Sequence, residues 1–288
     1  MKIALGTAQF GFDYGATNKV GRVPINELKD ILDLALRHDI DTIDTAISYG
    51  DSESHLGQVG SKNFKIVTKL PPLPYKCTDV NIWVREQILA SLSRLGVTSV
   101  YALLLHRPQD LLESHGGALY RALQMVKDSG QVKKIGISIY SPNDLTDLIP
   151  LFRFDLVQAP FNLIDQRFYN SGWMKRLKDQ DIEIHTRSIF LQGLLLTTQI
   201  NLPLKFSPWN ALWHHWYHWL KEHKKSALQV CLSFPLSFSE IDRVIVGVDS
   251  QNQLVQILDV EINQSEKLFP NLQCDDENLI NPTKWSGL

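Results

Sequence analysis

The chain has 288 residues, 44 % of them hydrophobic and 21 % charged, and a formal charge of −2. That balance excludes a general basic field for nucleic acid or an acidic membrane surface, so any anionic ligand must be held by a local site. No apolar run approaches the roughly 18 residues of a membrane span. Three scattered cysteines, Cys77, Cys231 and Cys274, without a CxxC pair fit a reducing compartment.

The first residues, Met1 to Gly6, read as a strand and not as a signal peptide. Short apolar runs then alternate with amphipathic segments. Strands are expected at Lys2–Leu5, Thr42–Asp44, Lys65–Lys69, Ser99–Leu105, Lys134–Ile137, Leu156–Gln158, Ile182–Thr186 and Val244–Val246. Between them, residues 25–38 carry Leu28, Ile31, Leu32, Leu34 and Leu36 as one broad helical stripe. Residues 84–95, 119–127 and 251–258 follow the same periodicity, and Ser141 reads as the cap of a short helix over 142–147. Eight strands alternating with helices, undivided by any linker, predict a parallel (β/α)8 TIM barrel spanning 1–288, with 259–288 as a C-terminal extension. Gly6-Thr7-Ala8-Gln9-Phe10-Gly11 lacks the GxGxxG spacing, so a dinucleotide would be bound without a Rossmann turn.

Polar residues gather at strand C-terminal ends, where barrel active sites lie. Asp44 closes the second strand, Tyr49 follows five residues later, Lys69 closes the third strand and His106 follows the fourth. The set suits carbonyl reduction, which needs a proton at oxygen as hydride reaches carbon. Tyr49 supplies the proton, Lys69 lowers the phenol's pKa, Asp44 orients Lys69, and His106 donates to the carbonyl oxygen. Singly, each residue has a bland explanation as a cap, a rim aromatic or a solvated strand end.

Asp44-Thr45-Ala46-Ile47-Ser48-Tyr49-Gly50, then Lys69, then Leu105-His106-Arg107, resembles the tetrad pattern of the aldo-keto reductase superfamily. The likeness runs from Gly6 and Thr7 to about Leu258. It implies Asp44, Tyr49, Lys69 and His106 as the catalytic four, and an NAD(P)H-dependent reduction of an aldehyde or ketone, of sugar origin by a loose association. The same groups serve alcohol oxidation. The resemblance also implies a cofactor cleft along the strand ends. Gly6 and Thr7 open it, and Ser138 and Gln158 would meet the nicotinamide carboxamide. Ser188, Phe190, Gln192 and Gly193, after the seventh strand, would wrap the pyrophosphate. Gly247, Asp249 and Gln253 would lie at the adenosine end.

Two positions depart from the pattern: Ile139 stands for the usual asparagine, and Arg187, counted with the cofactor residues, for an aromatic residue stacked on nicotinamide; its guanidinium would stack there in turn, or point at substrate or phosphate. The family's habit favours NADP(H), while Asp249 would repel a 2′-phosphate and accept from the free 2′-hydroxyl of NAD(H). The competing explanation makes Asp249 a helix-start residue. A non-catalytic nicotinamide-binding regulatory protein on the same barrel is the alternative function. A metal-dependent barrel hydrolase would need paired histidines ending the first strand, and Ala4-Leu5-Gly6-Thr7 has none.

His214 and His218, spaced i, i+4, have no third ligand nearby, so no metal is expected. Trp213, Trp216 and Tyr217 are expected to cover the barrel, and Trp285 to border the substrate site or anchor the tail. The expected partners are a small carbonyl or alcohol substrate, with no nucleic acid and no membrane. The chain is expected to be cytoplasmic, as a monomer or small homo-oligomer.

Overall fold

The computed structural model describes residues 1–16, 18, 21–262 and 268–287, with side chains to residue 285. Eight strands close into one barrel: β1 (Ile3–Gly6), β2 (Thr42–Asp44), β3 (Lys65–Leu70), β4 (Val100–Leu105), β5 (Val132–Ser138), β6 (Leu156–Pro160), β7 (Glu183–Arg187) and β8 (Arg243–Gly247). Every pairing is parallel, and β1 closes on β8 through Ile3↔Val244 to Gly6↔Gly247. Strands covered on both faces need apolar residues on both, so runs such as Val100–Leu105 do not alternate. Inside the barrel Val67, Ala102, Leu104 and Leu156 form a small cluster, while the large core lies between strands and helices.

All eight expected strands exist, displaced by at most two residues at either end. The helix Ile25–Arg37 buries Leu28, Ile31, Leu32 and Leu34 as its stripe required. The helix Val80–Leu95 begins four residues before the expected segment, because Asp79 accepts from Ile82 N–H and opens it there. The helix Asn143–Leu148 starts one residue later than expected, and Ser141 Oγ accepts from Asn143 N–H only at 3.3 Å.

The N-terminal end of the barrel is closed by polar groups. Glu183 on β7 pairs with Lys134 of β5 and accepts from Tyr101 Oη of β4 at 2.7 Å. Asp41 bridges Lys65 and Arg243 at 2.7 and 3.2 Å, and Asp242 binds Lys178 at 2.7 Å.

The helix Asn210–His223 buries Trp213, Trp216 and Trp219. Trp213 Nε1 donates to Phe206 O, Trp216 Nε1 to Leu195 O and Tyr217 Oη to Thr197 O, at 3.1–3.2 Å. These residues therefore pin the segment after β7. His214 Nδ1 lies 3.3 Å from Gln199 Nε2, and the described residues hold no cluster of three metal-ligating side chains. Trp285 is buried edge-on against Phe206, its Nε1 donating to Leu279 O, so it anchors the tail. No helix among the described residues is long and apolar enough to cross a membrane.

Candidate active site

The turn after β2 is held from below. Thr7 Oγ1 donates to Asp44 O at 3.0 Å, and Ser52 Oγ lies 2.9 Å from Thr7 Oγ1 and 3.1 Å from Thr45 Oγ1, all buried. Under the same turn buried Glu53 accepts from Thr68, Ser91 and Arg94. The segment after β1 packs directly on this turn: a Cβ on Gly11 would stand 1.6 Å from Tyr49 O, so only glycine allows the approach. Tyr49 is thereby fixed by backbone contacts on both sides.

Three strand ends supply the rest. Lys69 Nζ donates to Asp44 Oδ1 at 2.6 Å and to Thr45 O at 2.8 Å, with the side chains 1 % and 5 % exposed. A charged pair this dry survives because its remaining atoms also bond. Asp44 Oδ2 accepts from Gln158 Nε2 at 2.6 Å, and Gln158 Oε1 accepts from Ser138 Oγ at 3.2 Å. Lys69 Nζ sits over the Tyr49 ring, 5.1 Å from its centre, and His106 meets that ring edge-on at 5.8 Å. The four expected catalytic residues are brought together.

Their electrostatics differ from expectation in one respect. Burial raises the Tyr49 phenol above its ordinary 10, and the Asp44 carboxylate adds to the rise. Lys69 was expected to lower it, but its hydrogen bonds go to Asp44 and Thr45, and burial together with the Asp44 carboxylate sets the direction. Burial also lowers Lys69, against the pull of Asp44. His106 is pushed down to about 3 by burial, Lys69 and Arg187, so it is neutral near pH 7. Ser48 Oγ stands 3.1 Å from His106 Nδ1, a partner not assigned from the sequence. If Ser48 donates, the ring proton is on Nε2.

A cleft of about 710 Å³ opens beside this group. Tyr49, His106, Tyr140 and Arg187 line it. So do Gly6, Thr7, Ser188, Phe190, Gln192 and Gly193, and, from the turn after β8, Gly247, Asp249 and Gln253. Ser138 and Gln158 do not line it; both are buried behind Asp44. Thr7 contributes to the wall although its hydroxyl is committed to Asp44.

The two departures from the family pattern are linked. Ile139 is fully buried in the outer core, and its carbonyl accepts from Arg187 Nη2 at 2.9 Å. The guanidinium then lies over the Tyr140 ring, 4.5 Å from its centre. Tyr140 was not singled out in the sequence, where no motif marks it; Tyr14, given no role there, also lines the cleft, its hydroxyl accepting from Gln192 Nε2 at 3.3 Å.

Beyond Arg187 the backbone is left-handed at Ser188, Leu191, Gln192 and Gly193, with φ of 60, 47, 53 and 86°. The three non-glycine residues cost roughly 1 kcal/mol or more each in that region, strain that functional sites retain. At the other wall Ser250, not Asp249, caps the helix Gln251–Leu258, accepting from Gln253 N–H. Asp249 N–H instead donates to Gln253 Oε1 at 2.8 Å, and Asp249 Oδ1 is buried with no partner in the protein. Burial raises this carboxyl.

Oxidoreductase sirO of Leptosphaeria maculans is 27 % identical over 219 residues, covering 73 % of this chain and 65 % of its own length. The uncharacterized oxidoreductase YtbE of Bacillus subtilis is 26 % identical over 179 residues, covering 59 % of this chain and 61 % of its own. The chain thus spans somewhat less than two thirds of these relatives. The holo form of aldo-keto reductase AKR11C1 from Bacillus halodurans superposes with a TM-score of 0.72, covering 91 % of this chain and 88 % of that one, at 17 % identity. That likeness shows the barrel fold. The Aldo/keto reductase family model matches residues 2–271, and the chain belongs to that family.

Proposed function

We propose that the protein is an NAD(P)H-dependent carbonyl reductase with Tyr49 as proton donor. The observation that carries this reading is the buried Asp44–Lys69 pair, its ammonium over the Tyr49 ring, with His106 at the ring's edge in the same cleft. The cleft suits a nicotinamide dinucleotide on two counts. Its β7 wall is a run of left-handed backbone of the kind that turns N–H groups toward an anion. Its β8 wall offers Asp249 Oδ1, an acceptor without a donor. Ser188, Phe190, Gln192 and Gly193 would hold the pyrophosphate, and Gly247, Asp249 and Gln253 the adenosine ribose. Gly6 and Thr7 would form the floor.

A bound dihydronicotinamide supplies the hydride. Tyr49 stays protonated in the neutral range because burial raises its phenol, and it gives its proton to the carbonyl oxygen as the C–H bond forms. The phenolate left behind is stabilised by Lys69 above the ring, which Asp44 holds in place. Neutral His106 donates a hydrogen bond to the same oxygen as charge builds there. Gln158 and Ser138 brace Asp44 from behind; rearrangement on cofactor entry would free their polar atoms for a carboxamide.

The sequence leans to NADP(H) by family habit. The cleft supports NAD(H) better: Arg187 is the sole Lys or Arg among its described lining residues, and Asp249 would face a 2′-phosphate. We take residues 1–288 as one barrel unit with 259–288 as its extension, working on a small carbonyl substrate in the cytoplasm.

Absorbance at the nicotinamide band during incubation with 4-nitrobenzaldehyde, for the parent and Tyr49→Phe, tests the activity. We expect turnover that falls by about 100-fold or more in the variant. Tight cofactor binding with no turnover in the parent would favour the regulatory alternative.

A further inference from the structure

Arg187 presents a feature that proton and hydride transfer do not use. Its guanidinium is fixed by three contacts: Nη2 on Ile139 O, Nη1 on Ser188 Oγ at 3.3 Å, and a face on Tyr140. It forms no ion pair with any described carboxylate. Asp44, the acidic residue at this end of the cleft, is already committed to Lys69 and Gln158. A half-buried guanidinium with five N–H donors, two of them used, is a preorganised fork facing a cavity that also holds Tyr49 and His106.

Holding a cation without a counter-charge in such a site costs free energy, and the fold tolerates it at the last residue of β7. An oxyanion on the ligand would offset that cost and gain charge-assisted, bidentate bonds. A neutral carbonyl compound would leave the cost in place. The chain's charge of −2 provides no general attraction for anions, so Arg187 would be the local site for one.

Resting on the reductase reading, we propose that Arg187 selects a substrate whose carbonyl is accompanied by a carboxylate or phosphate. The anion would dock on the guanidinium while the carbonyl oxygen lies between Tyr49 and His106. Tyr140, which backs the guanidinium, would serve as a positioning residue.

The test compares matched aldehydes within each protein, so that general damage cancels. 4-Carboxybenzaldehyde is set against 4-formylbenzamide, and 4-formylphenyl phosphate against 4-methoxybenzaldehyde, in the parent, Arg187→Met and Arg187→Lys. We expect the parent to favour the charged member in kcat/KM, and the charged-to-neutral ratio to fall at least tenfold in Arg187→Met, mainly through KM, with partial recovery in Arg187→Lys. The pair that shows the larger fall identifies carboxylate or phosphate as the group recognised. A ratio unchanged in Arg187→Met overturns the inference and leaves the reductase reading standing. So does an equal weakening of NADH and NADPH, measured by fluorescence, without any change in ratio, since that outcome assigns Arg187 to the cofactor. A parent that reduces none of the four aldehydes and binds neither cofactor removes the reductase reading itself.

Discussion

At the scale of single residues the site works by keeping ionisable groups in the forms that burial prefers. His106 is held down to about 3 by burial, Lys69 and Arg187, so it remains neutral on both sides of its ordinary 6.5. Tyr49 is raised above 10, so it remains protonated. The sign follows: neither group changes charge between pH 5 and pH 9, and the kcat/KM for aldehyde reduction should be flat across that span. A bell with an acid limb near 6.5 that disappears in His106→Asn would show that His106 titrates and that this account is wrong. A second residue-scale prediction concerns cofactor choice. Asp249→Ser removes an unpartnered carboxylate oxygen from the β8 wall. NADPH binding should tighten about five- to tenfold relative to NADH, the scale of one screened charge contact. Dissociation constants for both cofactors at fixed salt decide it, and a constant ratio would mean that Asp249 does not meet the ribose.

At the scale of elements, the segment after β7 is the least self-sufficient part of the cleft. Its left-handed residues are strained, and it borrows hydrogen bonds from the helix Asn210–His223. Trp216→Phe keeps most of the buried ring but orphans Leu195 O. Stability should fall by about 1 kcal/mol in urea unfolding, and cofactor affinity should fall severalfold because the loop wall is no longer fixed. Unchanged affinity would show that this helix does not set the wall. The eight strands and the gathering of Asp44, Tyr49, Lys69 and His106 at one end were legible because both leave local marks: apolar runs at regular spacing, and titratable residues at the ends of those runs. The partners of those residues were not, because they come from strands far apart in sequence. That Gln158 turns to Asp44, that Ile139 offers its carbonyl and not its side chain, and that Tyr140 carries Arg187 are consequences of barrel closure, which no spacing encodes. Ser250 rather than Asp249 as the helix cap is a matter of one residue's backbone angles, and both residues suit a cap by type.

At the scale of the whole molecule, chemistry and stability are separated to the two ends of the barrel, and the N-terminal end is where closure is tested. Glu183 is the centre of that closure: it pairs with Lys134, accepts from Tyr101 Oη and lies 2.7 Å from His185 Nε2. Burial alone would raise its carboxyl, but hydrogen bonds from His185, Lys134 and Tyr101 hold it well below the ordinary 4.5. A depressed carboxyl contributes stability that is fully present above 4.5 and is lost as pH falls through its lowered folded value. Glu183→Gln keeps the shape and removes the charge, leaving Lys134 without its counter-ion. It should cost about 2–3 kcal/mol at pH 7, toward the lower part of the range for a broken buried pair, since Lys134 is partly solvated. At pH 4 the gap between variant and parent should begin to narrow, because Glu183 takes up a proton in the unfolded parent while the folded parent keeps its carboxylate. Urea unfolding of both proteins at the two pH values measures this, with NADH and NADPH dissociation constants at pH 7 as a control. Those constants should not move, because Glu183 and its partners lie at the opposite end of the barrel from the cleft. A gap that stays constant with pH would mean that shape and not charge makes Glu183 important. Altered cofactor affinity would mean that the two ends are coupled through the barrel interior.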